Sequence, residues 1–311
     1  MFAKKITSSG STAPSTQPYA IQLENFTVKF NEKTDDELVL FNNVNYNFEA
    51  GKIHFIVGPS GCGKTVLISH FNGLLLPSSG KIAVLGEEIK VKRNKVKNVK
   101  SIRAKIGMVL QFAEYQLFKP TIERDIIFGP MNFGVKKDEA KDRAKKLIVE
   151  VGLDESFLPR NPFGLSGGQK RRIAIAGILA IDPDILVFDE PTAGLDPQGE
   201  NDILNIIKEL KKKGKTVFVV THTMNHAVAI ADNVVVINNG NIVKDGTIYE
   251  IFSDHQLIKN VGLSVPSIIN TINLLVQNDQ RFSQLLVDQP RSIEELVTCI
   301  NRIIFTKKGG K

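Results

Sequence analysis

The sequence predicts an α/β fold in which parallel strands form a buried sheet between helices, with an antiparallel β-subdomain before it and a helical extension after it. Three observations carry this prediction. The runs IHFIV (53–57), ILVFD (185–189) and TVFVVTH (216–222) are apolar without polar alternation, as in parallel strands buried on both faces. Amphipathic segments lie between them: DEAKDRAKKLIVEVG ending at Gly152, SGGQKRRIAIAGILAI, and PQGENDILNIIKELKKKG ending at Gly214, a C-cap glycine. From Ile21 to Phe48 apolar and polar residues alternate around the turn-like NEKTDDE, the pattern of half-buried antiparallel strands.

The ends of the chain read differently. Thr7 to Pro18 is rich in Ser, Thr and Pro with little to bury, so residues 1–18 are expected to form a disordered tail. After Thr247 the strand pattern stops and helical patterns follow (SIINTINLLVQ, RFSQLLV, SIEELVTCINRIIF). The expected organisation is a main α/β domain over 19–253 and a helical extension over 254–311. A chain of 311 residues is long for one ordinary domain, which agrees with a core plus an appendage. Between Lys90 and Lys105 eight basic residues accumulate without an acid, read as a solvated basic loop with phosphate or lipid contact as the alternative.

Composition narrows the function classes. Hydrophobic residues at 42% and charged residues at 23% describe a chain able to bury a sizeable core. The net charge of +7 favours acidic partners, whether nucleotide phosphates, nucleic acid or anionic lipid. Cys62 and Cys299 form no C-x-x-C or metal spacing, so a disulfide framework and a zinc site are not expected, and a reduced compartment is. The longest apolar run, Ile173 to Ile181, is about half of the roughly 20 residues a spanning helix needs. Any membrane role is therefore expected to be peripheral.

The chemistry begins at Gly58-Pro59-Ser60-Gly61-Cys62-Gly63-Lys64-Thr65, which fits G-x-x-x-x-G-K-[ST] directly after the strand IHFIV and before a helix. The glycines let backbone N–H groups approach phosphate oxygens, and the helix start adds positive potential. Lys64 is expected to bridge the β- and γ-phosphates and Thr65 to offer its hydroxyl to Mg²⁺, so the chain binds a nucleoside triphosphate. Cys62 is read as a small residue tolerated in the loop rather than as a thiolate activated by Lys64. Downstream, the strand ILVFD ends in Asp189 followed by Glu190, which alternation should send to different sides. Asp189 suits the metal shell, and Glu190 suits the role of general base toward water.

Leu165-Ser166-Gly167-Gly168-Gln169 offers a second glycine-rich helix start. Together with the P-loop before it and the Asp189-Glu190 pair after it, this segment resembles the signature motif of ATP-binding cassette (ABC) ATPases. The resemblance covers Tyr19 through Glu250 and implies an ABC nucleotide-binding domain of the P-loop NTPase class, with an antiparallel β-subdomain and a helical subdomain. It implies that Gln111 is the Q-loop glutamine sensing Mg²⁺ and the transmembrane partner. It implies further that Ser166, Gly167, Gly168 and Gln169 clamp the γ-phosphate of ATP bound to the other subunit, that Asp196 belongs to the D-loop, and that His222 is the switch histidine. Phe30 stands where the family places an aromatic against adenine. His54 is read as structural and His226 as an ordinary helical residue. Two chains would pair head to tail around two ATP molecules, and one chain alone would be nearly inactive.

Within that family, QFAEYQLFKPTIERDIIFGPMNFGV (111–135), RNPFGLSGGQKRRIAIAGILA and FDEPTAGLDP look like the energy-coupling factor transporter ATPases, nearer the second ATPase of the usual pair. This implies uptake of vitamins or metal ions, with a second ABC ATPase subunit (homo- or heterodimer), a transmembrane coupling protein and a substrate-binding membrane subunit as partners. It implies a position on the cytoplasmic side of the cell membrane. Leu117, Phe118 and Phe128, beside Glu114 and Arg124, could anchor the coupling protein or simply pack in the core. The alternatives are the ATPase of a conventional ABC importer or exporter, or a soluble ABC ATPase acting on nucleic acid or ribosomes. The single cassette and the lack of a long heptad array argue against the last, and no nucleic-acid partner is expected.

Overall fold

The computed structural model describes residues 18–305 apart from 33, 35, 93 and 94. The expected N-terminal tail therefore lies almost wholly outside the described residues.

Among the described residues a six-stranded sheet forms the centre, in the order Asn241–Gly246, Asn233–Asn238, Ile53–Val57, Thr216–Val220, Ile185–Asp189, Ile106–Val109. All neighbours are parallel except the edge pair Asn233–Asn238 and Asn241–Gly246. The three apolar runs picked out in the sequence are the inner strands, and each is buried along its whole length. Alternation divides their side chains between two cores. Phe55, Val57, Leu186, Phe188, Val217 and Val219 pack against the helices on one face. Ile56, Val187 and Phe218 face the other side, where they meet the helix Lys64–Phe71 and the antiparallel subdomain.

That subdomain pairs Leu38–Glu49, Tyr19–Phe30, Ser79–Val84 and Glu87–Glu88 in this order, all antiparallel. Its inner face contributes Phe26, tilted against Phe41 and edge-on to His70, and Phe48, edge-on to His54 and Phe218. The helices Lys137–Glu150 and Gly167–Leu179 form the helical subdomain on the opposite side. Gly152 and Gly214, with φ of 77° and 79°, follow the ends of their helices as the sequence requires.

The basic stretch is not a loop. Val91–Lys92 and Lys95–Val96 form a short antiparallel hairpin, and Val99–Lys105 is helical with Ile102 fully buried. Lys90, Lys95, Lys97, Lys100 and Arg103 are exposed; Lys105 pairs with Glu87 at 2.8 Å, while the side chain of Val96 lies against Gly73. Beyond Asp254, helices place Ile258, Val261, Ile269, Ile272, Leu285 and Leu296 in the same apolar cluster as the parallel sheet. Tyr249 ties this region down by donating its hydroxyl to the carbonyl of Pro290 at 2.6 Å.

Candidate active site

The P-loop follows the strand Ile53–Val57 and turns into the helix Lys64–Phe71. Two of its glycines are sterically required. A Cβ on Gly58 would lie 2.2 Å from the carbonyl oxygen of Ile237, and one on Gly63, which caps the helix with φ of 99°, would lie 2.9 Å from the ring of Phe41. The loop is thereby held close to both strand and subdomain.

Ser60, Gly61, Gly63, Lys64 and Thr65 line a cavity of about 370 Å³ together with Gln111, Asp189, Glu190 and His222. Segments far apart in sequence thus converge on one site at the C-terminal ends of the parallel strands, where open α/β sheets bind ligands. Gly58, Pro59 and Cys62 are not among the residues lining the cavity. Lys64 is 6% exposed and donates from Nζ to the carbonyls of Gly58 and Pro59, both at 2.9 Å. Cys62 is buried, and burial pushes its thiol up from the ordinary value, which removes the activated-thiolate reading.

Thr65 Oγ1 donates to Asp189 Oδ2 at 3.0 Å. Burial raises the Asp189 carboxyl from its usual value, opposed by the Thr65 hydrogen bond and by the charge of Lys64. Glu190 does not point away from Asp189 as strand alternation suggested. The strand ends at Asp189, and Glu190 adopts a left-handed backbone with φ of 46°, so both carboxylates line the same cavity. The strained turn is fixed on one side by Glu190 N donating to Val220 O at 2.8 Å and on the other by Ala193 N donating to Glu190 O at 3.2 Å. Burial also raises the Glu190 carboxyl, with His222 and Thr221 acting in the opposite direction. Glu190 Oε1 is buried without a hydrogen-bond donor among the described residues, and His222 Nε2 lies 3.6 Å from it. A buried acceptor of this kind beside a histidine is suited to take a proton from a bound water.

The remaining predicted residues lie elsewhere. Ser166 caps the helix Gly167–Leu179 by a capping box with Gln169, and Ser166, Gly167, Gly168, Gln169 and Asp196 line a second cavity of about 630 Å³ with Phe112 and Tyr115. None of them lines the P-loop cavity. Phe30 ends its strand opposite Leu38, is 39% exposed and is not among the residues lining the P-loop cavity. His54 is buried, bonded to Glu49 O at 2.8 Å and stacked on Phe218. His226 does more than fill a helix: its Nε2 lies 3.4 Å from Glu200 Oε2 and its Nδ1 3.5 Å from Thr192 Oγ1.

Sequence reasoning missed Leu40 and Val220 in the wall of the P-loop cavity, and the buried Arg171. Arg171 forms a bidentate pair with Glu114, 57 residues away, a pairing no local pattern announces. Of the proposed anchors, Leu117 is buried in the core, whereas Phe118 and Phe128 are exposed, meet edge-on at 5.0 Å and carry the Lys119 ammonium over both rings.

Residues 41–193 match the family model described as ABC transporter. The energy-coupling factor transporter ATP-binding protein EcfA2 of Mycoplasma pneumoniae is 45% identical over 284 residues, covering 91% of this chain and 94% of that one. The protein of the same name from Listeria monocytogenes is 44% identical, covering 93% and 99%. Among solved structures, cbiO1 from Clostridium perfringens, part of the ABC transporter complex cbiONQ, is 33% identical with a TM-score of 0.68 over 82% of this chain and 99% of that one. A dimeric ATP-binding cassette, MJ0796, bound to ADP and Pi, is 29% identical with a TM-score of 0.63 over 73% and 98%. The fold is that of the ABC ATPases, and the chain belongs to the ATP-binding proteins of energy-coupling factor transporters.

Proposed function

We propose that this chain hydrolyses Mg·ATP as one half of a head-to-tail ATPase pair and thereby drives uptake of vitamins or metal ions through membrane subunits of an energy-coupling factor transporter. One observation carries the reading. The P-loop, Gln111, Asp189, Glu190 and His222 share one cavity, while the signature residues Ser166–Gln169 and Asp196 line another, so a complete site needs the second cavity of a partner ATPase.

In this reading the P-loop amides and Lys64 hold the phosphates of ATP, and Phe30 packs against adenine. Glu190 accepts a proton from the attacking water at Oε1 or Oε2, while His222 orients that carboxylate and stabilises charge on the γ-phosphate. The partner's signature helix closes on the γ-phosphate, excluding bulk water. Thr65, Asp189 and Gln111 are hard oxygen donors and fit Mg²⁺. The hydrogen bond from Thr65 Oγ1 to Asp189 Oδ2 at 3.0 Å brings two of these donors together. When bound, Mg²⁺ neutralises charge on the β- and γ-oxygens.

Among the described residues no helix is long and apolar enough to cross a membrane, so membrane association would run through other subunits. The exposed Phe112, Tyr115, Phe118 and Phe128 flank the segment after Gln111 and supply a surface for the coupling protein. The helical extension 254–311 presents apolar Ile293, Val297, Ile304 and Phe305 to solvent and is proposed to serve pairing of the two ATPases. Affinity purification from native membranes tests the assignment. A second ABC ATPase and integral membrane subunits are expected in stoichiometric amounts; recovery of this chain without membrane subunits in several detergents would contradict the transport role and leave the ATPase chemistry standing.

A further inference from the structure

The turn that carries Glu190 is gripped by one buried guanidinium. Arg171, in the helix Gly167–Leu179, is 3% exposed. Its Nε and Nη2 donate to the carboxylate of Glu114 at 3.1–3.2 Å, and its Nη1 donates to the carbonyls of Pro191 at 3.1 Å and Ala193 at 2.7 Å. Ala193 in turn donates its N–H to the carbonyl of Glu190, whose left-handed φ of 46° needs such support. Glu114 lies in the short 3₁₀ turn Ala113–Gln116, three residues after Gln111. Its neighbours Phe112 and Tyr115 are 46% and 84% exposed. One direct chain of polar contacts therefore runs from an exposed aromatic surface through Glu114, Arg171 and Ala193 to the backbone of the proposed base.

The chemistry of the link makes it stiff. A guanidinium is planar and fixes two acceptors at once, so a shift of the Glu114 turn moves the fork and with it the Ala193 carbonyl. Burial prevents water from replacing either partner cheaply. Misplacing a reacting group by about 1 Å costs on the order of 100-fold in rate, so a small displacement at Glu114 suffices to switch Glu190 in or out of position.

We propose that Arg171 is a positioning residue that transmits the set of the segment after Gln111 to Glu190, so that ATP turnover depends on what is seated against Phe112, Tyr115 and Phe118. This rests on the reading that the membrane partner docks there. Glu114→Gln keeps the shape and removes the charge, and Arg171→Lys keeps the charge and removes the fork; both are compared with wild type in the complete transporter complex reconstituted in nanodiscs. ATP affinity and KM are expected to stay within about twofold, with kcat at least about tenfold lower. The double variant is expected to fall no further than the worse single one, because the two side chains act through each other. A purely structural role predicts the opposite split: lower thermal stability and weaker ATP binding with unchanged kcat in the surviving complex. Unchanged kcat in assembled variants, or losses that multiply in the double variant, would overturn this inference alone. Failure of the wild-type chain to retain membrane subunits would overturn the docking reading and this inference with it.

Discussion

Thr65 Oγ1 donates to Asp189 Oδ2 at 3.0 Å across 124 residues of sequence, joining the first turn of the P-loop helix to the end of the strand Ile185–Asp189. The two strands that deliver these residues flank Thr216–Val220, so the bond spans the strand that leads to His222. The P-loop, Asp189 and His222 are thus set at the C-terminal ends of three adjacent inner strands.

Asp189→Asn is expected to keep the acceptor for Thr65 and lose the charge that favours a divalent ion. Nucleotide affinity should fall about 10–100-fold in Mg²⁺ and hardly change in EDTA. Fluorescent-nucleotide binding with and without the metal checks this; equal losses in both conditions would place Asp189 outside the metal site.

The pH dependence follows from burial at Glu190. A general base works ionised, and its carboxyl is held above the ordinary glutamate value of 4.5, chiefly by burial. Activity should therefore fall on the acid side at a pH above the usual glutamate range. In linkage terms a raised folded-state pKa stabilises the fold below the unfolded pKa, and that contribution is lost as pH rises through the folded value. Once ionised, the buried Glu190 carboxylate works against the fold. The kcat/KM profile of the assembled complex reads the limb directly; an acid limb that survives unchanged in the residual activity of Glu190→Gln belongs to another group.

Much of this organisation was legible because its residues carry local signals. The inner strands 53–57, 185–189 and 216–220 are apolar throughout since both faces are covered, and the P-loop spacing is set by phosphate contact. The outer strands were not legible. Ile106–Val109 is only four residues long behind a basic helix, and Asn241–Gly246 is an edge strand with no fully buried residue. The hairpin and helix within 90–105 were hidden by charge, which marks only the solvent side of a helix anchored by Ile102. Glu190 and Phe112 take positive φ without being glycine, which no residue type announces, and the Glu114–Arg171 pair depends on a contact made only in the folded chain.

Tyr249 holds the helical extension through a buried bond to Pro290 O. Tyr249→Phe leaves that carbonyl without its donor and should cost about 1–3 kcal/mol in denaturant unfolding, with no effect on nucleotide binding. A change below about 0.5 kcal/mol would show that solvent satisfies the carbonyl instead.

Phe118 and Phe128 are exposed, in contact with each other and near Gln111 in sequence. Replacing both with Ala is expected to leave ATP binding within about twofold while recovery of membrane subunits on purification drops at least about tenfold, the loss expected for removing interface anchors. Quantitative mass spectrometry of the purified complexes decides it; full recovery would move the docking surface elsewhere.

The central claim is that Glu190 activates water in a site completed by a second ATPase. The most direct measurement is ATP turnover by the assembled transporter complex carrying Glu190→Gln, with ATP binding followed in the same preparation. The account predicts unchanged ATP binding and turnover lowered by about 10²–10⁴-fold. Near-normal hydrolysis in that variant would contradict it.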